Sequence, residues 1–372
     1  MYKPTLTIDV GRLRENARVE KAELGQLGIE VMAVNKVFDG APETAKACLE
    51  AGIEVIAESR LYNAKKIKSA LGCRTCLLRS PVLSEIDEVV QWADISLNSE
   101  PEILKALSKA AQAQHRQHAI LLMVDMGDLR EGIWFEKEDE LAQTLTLINQ
   151  LPGLTLYGLG TNFNCYGTVM PTVKNGEDFK ALADRLSKRT GIVIPRLSAG
   201  NCTSYHLIDK KCWPHGLNHL RIGGLHEFGI EYVGMHYLDQ YHHSDKPIDR
   251  AVSPLYVLTA EVIEANAKPT VPVGELGVDA FLQTKTFEDR GIRHRALLAF
   301  GRQDVPIENC VPVEDRLGVL GQTSDHTLID TEDLPVPLKV GDRVSFELDY
   351  TGLLAACATS GVQKVFVDKS GH

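Results

Sequence analysis

Apolar residues in the first two thirds of the chain follow two alternating patterns. Short apolar runs, which are typical of buried strands, alternate with longer stretches whose apolar residues recur at helical spacing. In segment 177–188 that spacing places Phe179, Leu182 and Leu186 on one face. The predicted strands are 31–35, 53–57, 75–78, 95–97, 120–124, 154–160, 192–197 and 219–222. The predicted helices include 41–51, 60–70, 100–113, 137–149 and 177–188.

Strands that alternate with helices form parallel sheets. Eight such units in a typical length of about 250 residues predict a closed (β/α)8 barrel, the TIM-barrel fold. An open doubly wound sheet is the alternative, but the first predicted strand is not followed by the G-x-G-x-x-G sequence of a dinucleotide-binding fold. We therefore predict an α/β barrel over residues 11–248.

Beyond residue 248 the helical spacing fades, and short β-like runs separated by turn residues replace it. These runs cover 255–262, 296–299, 317–320, 327–329 and 343–348. The pattern predicts a C-terminal all-β domain over residues 249–372. Residues 1–10 also have the pattern of a strand, and we expect this strand to pair with the C-terminal domain.

Composition narrows the class of protein. The 372 residues are 44% hydrophobic and 24% charged, which is typical of a globular protein. A net charge of −10 without a basic stripe argues against a nucleic-acid partner. The sequence shows neither an apolar run of about 18 residues, as a membrane span needs, nor a secretory signal. The eight scattered cysteines indicate reduced thiols. We expect a cytoplasmic protein that binds a small molecule.

Candidate chemistry lies where the predicted barrel strands end, because barrel enzymes place their active sites at the carboxyl ends of the strands. The first strand is followed by Lys36. Partial desolvation at the end of an apolar strand lowers the pKa of an amine, which suits imine formation with an aldehyde cofactor. A lysine that simply reaches solvent is the alternative. Arg130 follows the fifth strand, and its planar guanidinium suits a phenolate or a carboxylate.

The last three barrel strands end in polar and glycine-rich loops. Small polar residues that open a helix attract phosphate, and bare glycine backbone lets an anion approach closely. Together with Lys36, these loops predict an anion-binding rim that holds one lysine and two arginines. The residues are Asn162 after the sixth strand, Asn201, Cys202, Thr203 and Ser204 after the seventh, and Arg221, Gly223 and Gly224 after the eighth.

Several longer motifs carry a resemblance to a known family. They include Val34-Asn-Lys36, Ala57-Glu-Ser-Arg60, Asn164-Cys-Tyr-Gly167, Gly301-Arg-Gln-Asp304, Ser324-Asp-His326, and the stretches 124–132 and 274–281. With these motifs the chain resembles, nearly end to end, the fold-type III pyridoxal-phosphate enzymes of the alanine racemase superfamily. Within that group it is most similar to ornithine racemase and related amino-acid racemases.

The resemblance implies pyridoxal 5'-phosphate as cofactor, with Lys36 holding it as a Schiff base. It implies that Arg221 faces the pyridine nitrogen, which a guanidinium leaves unprotonated. Such a ring is a weaker electron sink, which favours proton return to Cα over transamination. The implied cofactor-binding residues are Lys36, Arg130, Asn162, Asn201, Cys202, Thr203, Ser204, Arg221, Gly223, Gly224 and Tyr350. The family also implies a head-to-tail homodimer, in which the second domain of one subunit completes the partner's barrel mouth.

The chain departs from the family at two points. Met123 stands where family alanine racemases have a lysine, and the stretch 274–281 lacks the tyrosine that serves as their second base. Racemisation requires acid–base groups on both faces of a planar carbanion. Our candidate opposite Lys36 is Asp279, aligned with the missing tyrosine. Alternatively, Glu275 and Asp279 bind the side-chain ammonium of a basic substrate, or both are ordinary turn acids.

The motif Ser324-Asp-His326 bears on the substrate and on the alternative functions. The resemblance implies that the backbone at Ser324 and Asp325 binds the substrate carboxylate. Asp325 and His326 also resemble the metal site of D-threonine aldolase-like and D-serine dehydratase-like relatives, but an H-x-C pattern does not accompany them, so we expect no metal. We predict a racemase for ornithine or another basic amino acid. The alternatives are a metal-assisted lyase and a non-catalytic pyridoxal-phosphate protein of the same barrel type.

Overall fold

A computed structural model describes residues 2–369, which divide into two compact units. One unit comprises Val10–His243, and the other joins residues 2–9 to Ser244–Lys369. In chain order the elements up to residue 243 are β1 (Thr5–Asp9), α1 (Val10–Gln26), β2 (Glu30–Val34), α2 (Pro42–Glu50), β3 (Val55–Glu58), α3 (Leu61–Leu71), β4 (Arg74–Leu77), α4 (Ile86–Trp92), β5 (Ile95–Asn98), α5 (Pro101–Ala113), β6 (His118–Asp125), β7 (Ile133–Trp134), α6 (Glu138–Gln150), β8 (Leu154–Thr161), α7 (Val173–Thr190), β9 (Leu197–Ala199), α8 (Tyr205–Asp209), β10 (His219–Ile222), α9 (Gly224–Phe228), β11 (Ile230–Glu231) and β12 (His236–Tyr237).

Eight strands of the first unit form a closed parallel barrel. Their order is β5-β4-β3-β2-β10-β9-β8-β6, and β5 pairs with β6 to close the ring. The barrel interior is apolar, and Met123 is fully buried there beside Met32 and Leu121. A larger apolar cluster packs helices such as α5 and α7 against the outside of the strands. The prediction of a (β/α)8 barrel is confirmed.

The seventh barrel strand differs from the prediction. The sequence pattern placed it at 192–197, whereas β9 covers only Leu197–Ala199. Ile192 and Ile194 are partly buried and pack against the helix–strand core without joining the ladder. Pro195 stands inside this run, and proline lacks the N–H that a central strand must donate. Apolar burial therefore produced a strand-like pattern in an irregular segment.

The second unit is built on an antiparallel sheet with the order β15-β18-β13-β14-β17-β16. The N-terminal strand β1 pairs antiparallel with β13 and parallel with β19. The ladder between β13 and β14 is long and carries a β-bulge near Val262. The elements of this part of the chain are β13 (Ser253–Pro269), β14 (Ile292–Leu298), β15 (Cys310–Pro312), β16 (Gly318–Gln322), β17 (Thr327–Asp330), β18 (Arg343–Leu348), α10 (Tyr350–Ala358) and β19 (Gln363–Val367).

The helix α10 was not predicted. Its first residue, Tyr350, was expected near the end of a strand, but the strand β18 ends before it. The Asp349 side chain caps the helix by accepting a hydrogen bond from the Gly352 N–H at 2.8 Å. Leu353 and Ala356 are buried at helical spacing. A short, almost continuous apolar run does not distinguish a strand from a buried helix, so the cap was the available signal.

Among residues 2–369, each helix falls short of the length and apolar character that crossing a lipid bilayer would need.

Candidate active site

Five neighbouring barrel strands carry the residues predicted for the cofactor site. Strands β6, β8, β9, β10 and β2 are consecutive in the ring. The carboxyl ends of parallel strands meet on one rim, so the segments that follow these strands lie side by side. They contain Arg130, Asn162, Asn201–Ser204, Gly223–Gly224 and Lys36, respectively.

Lys36 lies at the barrel mouth, in a turn that directly follows β2. Its side chain is exposed, whereas the preceding Asn35 is buried and tightly held. The Asn35 amide donates to the Glu58 carboxylate at 3.1 Å and accepts from the Thr44 hydroxyl at 2.8 Å. Burial raises the pKa of Glu58 to about 7. The fold therefore fixes the backbone at this turn and leaves the Lys36 side chain in the open mouth.

Arg221 lies at the end of β10 and is almost fully buried. Its Nη2 donates to the Thr161 carbonyl at 2.9 Å and to the Asn162 side-chain oxygen at 2.7 Å, and its Nη1 donates to the Ser198 hydroxyl. Burial lowers the pKa of Arg221 to about 10, so the guanidinium stays charged at neutral pH. Among the described residues, its Nε–H alone of the guanidinium nitrogens has no hydrogen-bond acceptor.

Arg130 is held by its neighbours. Its Nε and Nη2 both donate to the Glu131 carboxylate, and its Nη1 donates to the Cys165 sulfur. The hydrogen bonds that Arg130 donates to the Glu131 carboxylate raise the pKa of Arg130. Asn162 donates to the same carboxylate at 2.8 Å, which joins this group to Arg221. The structure thus links both predicted arginines through Asn162 and Glu131, and a ligand at Arg130 would share the guanidinium with Glu131.

The loop after β9 is tightly closed on itself. The Asn201 side-chain oxygen accepts from the Thr203 N–H at 2.9 Å and from its hydroxyl at 2.7 Å. The Ser204 hydroxyl donates to the Ala199 carbonyl at 2.8 Å. Gly200 has a φ of +97°, and a Cβ there would lie 2.5 Å from the Ser204 hydroxyl oxygen. Glycine at this position therefore allows the positive φ and the close contact with Ser204 that fold the loop.

The glycine turn after β10, which we define as Gly223–Gly224, leaves no room for a side chain. A Cβ on Gly223 would lie 3.0 Å from the Val34 carbonyl oxygen and 3.1 Å from the Glu227 carboxylate. A Cβ on Gly224 would lie 2.6 Å from the Tyr232 hydroxyl oxygen. Packing inside the chain alone therefore requires both glycines.

The positive charge of Lys36 acts on one residue of the loop after β9 and on one residue that follows the glycine turn. Burial raises the pKa of the Cys202 thiol to about 12 and that of the Glu227 carboxyl to about 7, and the positive charge of Lys36 opposes both shifts. Cys202 belongs to the loop after β9, and Glu227 follows the glycine turn. The structure thus brings together the predicted lysine and the two predicted phosphate loops.

Sequence reasoning missed three functional candidates at the mouth: Glu131, Ser198 and Glu227. Glu131 and Ser198 stand in stretches that the pattern had already singled out, but their role as partners of the arginines depends on contacts between distant strands. Glu227 carried a local signal, because it is an acid between the apolar residues Leu225 and Phe228. Ser198 and Glu227 are buried and Glu131 is partly buried, and Ser198 and Glu131 accept hydrogen bonds from Arg221 and Arg130, respectively.

Asp279, the predicted second base, lies in the second unit, in the segment between β13 and β14. Its Oδ1 accepts from the backbone N–H groups of Phe281 at 2.8 Å and Gln283 at 3.0 Å. Its Oδ2 lies 3.3 Å from the Lys285 amine. The backbone hydrogen bond from Gln283 is the main cause that lowers the pKa of Asp279. The carboxylate is ionised and organised by residues within its own segment.

The other predicted residues of this unit lie on three different elements of the chain. Glu275 is exposed in the same segment as Asp279. Ser324 and Asp325 form the turn between β16 and β17, where the Gln303 side chain donates to the Asp325 carboxylate. Tyr350 begins α10. Arg302 lies over the Phe281 ring at 5.1 Å, and its backbone N–H donates to the Thr323 carbonyl at 2.9 Å, so the segment of Asp279 packs beside the turn between β16 and β17.

A group that could hold a cation is formed by the end of α8 and the hairpin of β11 and β12. Asp209, Glu231 and His236 place one potential ligand atom each within 4.8 Å of one another. His236 forms ion pairs with Asp209 at 3.6 Å and with Glu231 at 3.8 Å. Glu231 also accepts from the Val233 N–H at 2.8 Å. These ion pairs account for the arrangement, and the expected absence of a metal stays a prediction.

The donor set at the barrel mouth fits a phosphorylated pyridine aldehyde. Lys36 offers an accessible primary amine, and Arg221 offers one unused N–H from a buried cation. The loop after β9 and the glycine turn are built around positions where a Cβ would clash. The amine matches the aldehyde of such a molecule, the Nε–H of Arg221 matches its ring nitrogen, and the two loops match its phosphate.

Comparison with known proteins places these features in a family. The family model for the N-terminal domain of alanine racemase matches residues 8–226. Ornithine racemase of Acetoanaerobium sticklandii is 36% identical over 370 residues, which cover 98% of this chain and 99% of that protein. Lysine racemase of Thermotoga maritima is 35% identical over 367 residues, with coverage of 98% and 99%.

Solved structures share the fold at lower identity. Alanine racemase of Clostridium difficile 630 has a TM-score of 0.76 at 17% identity and covers all of this chain, with 97% of that structure covered in turn. Alanine racemase of Bartonella henselae, solved with covalently bound pyridoxal phosphate, has a TM-score of 0.70 at 16% identity, with coverage of 99% and 100%. These likenesses support the complete two-part fold.

Proposed function

Because the chain belongs to the alanine racemase family, as predicted from its motifs, we propose that it is an amino-acid racemase that uses pyridoxal 5'-phosphate and prefers a basic substrate. The observation that carries this proposal is the barrel mouth, where an exposed lysine, a buried arginine and two glycine-dependent loops lie together. Near-complete coverage of two racemases at about one third identity supports the reaction class. The comparisons favour it over the lyase and carrier alternatives.

The proposed cofactor roles follow the geometry of the mouth. Lys36 would attach the cofactor through its amine, and the Arg221 Nε–H would donate to the ring nitrogen. The backbone of Asn201–Ser204 and the glycine turn would hold the phosphate. Tyr350 is a further candidate from the family resemblance alone. Arg130 and Asn162 would bind the phenolic oxygen, and Glu131 would share the Arg130 guanidinium with it.

The reaction then needs two proton-transfer groups. When bound, pyridoxal phosphate supplies an electron-withdrawing ring that makes the substrate's Cα–H acidic. Arg221 remains a cation and cannot accept a proton from a neighbouring acid. We assign Lys36 to remove or return the proton on one face of Cα. In the homodimer proposed below, Asp279 of the partner subunit would act on the opposite face. The backbone at Ser324 and Asp325 holds the substrate carboxylate.

The substrate class is proposed from the two relatives. They are named for ornithine and lysine, whose side chains end in an ammonium group. A carboxylate is the natural partner of an ammonium. Glu275 is our candidate, because it is exposed and, unlike Asp279, is not engaged by Lys285.

We further propose a cytoplasmic, head-to-tail homodimer. All eight cysteines lie within the described residues and are free thiols, as expected in a reducing compartment. The segment that carries Asp279 exposes several large apolar side chains, including Val273, Leu276 and Leu282. A run of exposed apolar residues is typical of a contact surface, which supports a partner at this segment.

The attachment residue can be tested by chemical labelling. The protein is incubated with pyridoxal phosphate, reduced with borohydride and digested, and the labelled peptide is identified by mass spectrometry. We expect the label on Lys36 in the wild type and its absence from K36A, which should lose racemisation completely. K174A is a matched control, because Lys174 is an exposed helix residue paired with Asp178. A label on another lysine, with Lys36 unmodified, would refute the assignment.

The substrate class is tested with L-amino acids. The holoenzyme is incubated with ornithine, lysine, arginine, alanine or serine, and the D-product is measured by chiral chromatography. We expect ornithine or lysine to have the highest kcat/KM, and alanine to be at least about tenfold poorer, since a missing ammonium leaves the recognising carboxylate unpaired. Preference for alanine would reject a basic substrate while leaving the racemase assignment intact.

A further inference from the structure

The glycine turn leads into a helix that cannot hold its own position. Helix α9 has five residues, and a single helical turn is not stable without tertiary contacts. Leu225 and Phe228 are fully buried. Apolar packing is non-directional, so it anchors the helix in the core but does not set its orientation. The directional contacts of α9 therefore decide where the N–H groups of Gly223 and Gly224 point.

The strongest of these contacts is a buried ion pair with α1. The His226 Nδ1 lies 2.9 Å from the Glu20 carboxylate, and both side chains are at most 1% exposed. The other ring nitrogen, Nε2, lies 3.9 Å from the Cys48 sulfur on α2. Both nitrogens of the imidazole thus have a fixed neighbour, one on each of two long helices.

The protonation of His226 strengthens the pair. Burial alone would lower the pKa of His226, but the Glu20 carboxylate and the Cys48 thiol raise it well above its usual range. The imidazole is therefore a cation opposite a carboxylate in an apolar surrounding, where such attraction is strong. Within residues 2–369 the second Glu20 oxygen is buried and has no hydrogen bond, so His226 is the hydrogen-bond partner of this carboxylate.

A second contact from the same helix acts on the same residue. The Asn16 side-chain amide donates to the His226 carbonyl at 3.1 Å. Asn16 and Glu20 are four residues apart and share one face of α1. Helix α1 therefore contacts both the backbone and the side chain of His226, which lies two residues after the glycine turn.

We propose that the Glu20–His226 ion pair is a positioning device for the glycine turn, and that it sets the affinity for the phosphate group of the cofactor. This inference rests on the proposed function, since it assumes that the turn receives that phosphate. Glu20 and His226 do not touch the ligand in this scheme. They hold the backbone N–H groups of the turn in the direction that the phosphate requires.

The test compares ligands with and without the phosphate. Full-length protein freed of cofactor is titrated with pyridoxal phosphate, pyridoxal and inorganic phosphate, and the dissociation constants are compared for wild type, E20Q and the double variant E20Q/H226Q. H118Q is the matched control, because His118 is equally buried but begins β6, at the amino end of the barrel strands. Thermal unfolding records the general loss of stability in each variant.

We expect E20Q to raise the dissociation constants of pyridoxal phosphate and inorganic phosphate about tenfold, because the N–H groups of the turn are misplaced. The dissociation constant of pyridoxal should rise less than about twofold. H118Q should leave the ratio of the two pyridoxal constants unchanged, although it too is destabilised. If E20Q does not fold, N16A replaces it, with the same selectivity and a smaller effect. An unchanged ratio in E20Q or N16A would overturn the proposal.

The two proposals fail in different ways. If wild-type protein binds neither pyridoxal phosphate nor inorganic phosphate, the proposed function and this inference both fall. If wild type binds pyridoxal phosphate but the variants weaken pyridoxal equally, only the positioning role falls, and the ion pair is then a contribution to stability alone.

Discussion

The barrel mouth and the segment between β13 and β14 hold their polar groups in opposite ways. At the mouth, Arg221 is 4% exposed and its partners come from two other strands and the loops after them. In the segment, Val273 is 96% exposed, and the partners of Asp279 all lie within six residues of it. Long-range burial organises one region, and local turns organise the other.

This difference determines how variants must be interpreted. A substitution at the mouth removes a group on which the fold also depends, so a loss of activity alone does not identify a catalytic residue. A substitution in the exposed segment leaves folding nearly unchanged, so a loss of activity there reports chemistry or binding. The comparison therefore predicts large stability effects in the barrel and small ones in the segment.

The largest effect is expected for R221A. Its removal leaves the Asn162 side-chain oxygen and the Thr161 carbonyl, both buried, without the donor that Arg221 provides, whereas the Ser198 hydroxyl keeps its contact with the His219 ring at 2.8 Å. Each unsatisfied group costs about 1–3 kcal/mol, and we expect a total loss of about 4 kcal/mol in the free energy of unfolding. Urea unfolding of the cofactor-free protein measures it. A loss below about 1 kcal/mol would show that the mouth tolerates unpaired groups, contrary to the comparison.

The next largest effect is the pH dependence of stability that buried His118 in the barrel unit should cause. Its ring nitrogens lie 2.7 Å from the Ser96 hydroxyl and 3.1 Å from the Ala93 carbonyl. Burial lowers the pKa of His118 to about 4, below its value near 6.5 in the unfolded chain. Between these values the unfolded state binds more protons, so the stability contribution is complete above pH 6.5 and is lost as the pH falls to 4.

The measurement compares H118Q with the wild type across that range. We expect wild-type protein to lose about 3 kcal/mol more than H118Q between pH 7 and pH 4, since glutamine does not titrate. Denaturant unfolding at several pH values gives the difference. Parallel pH profiles for the two proteins would mean that His118 does not carry this dependence, and that burial in the barrel is less complete than the structure indicates.

The same contrast explains what the sequence could predict. Periodicity is a property of each element, so the barrel, seven of its eight strands and most of the second sheet followed from spacing, whereas the seventh strand, β15 and β19 did not. Lys36 and the loops followed from strand ends. The pairing of Arg130 with Glu131 and of His226 with Glu20 depends on residues that the fold brings together. Helix α10 was missed because an apolar run of nine residues suits either element.

The smallest stability effect, and the most informative one for mechanism, is expected for D279N. Asparagine keeps the side-chain oxygen that accepts from the Phe281 and Gln283 N–H groups, so the turn survives. Only the exposed contact with Lys285 is lost. We expect a change below about 0.5 kcal/mol in the free energy of unfolding. If Asp279 is the second base, kcat should still fall at least about a hundredfold, the usual contribution of general acid–base catalysis.

Isotope exchange shows which face of the substrate is affected. In deuterium oxide, a D279N enzyme that retains Lys36 should still exchange the Cα proton of one enantiomer while losing conversion into the other. E275Q, in the same exposed segment, should keep both exchange reactions and change only KM for a basic substrate. Equal loss of exchange from both enantiomers in D279N would assign the effect to substrate binding, and unchanged racemisation would place the second base elsewhere.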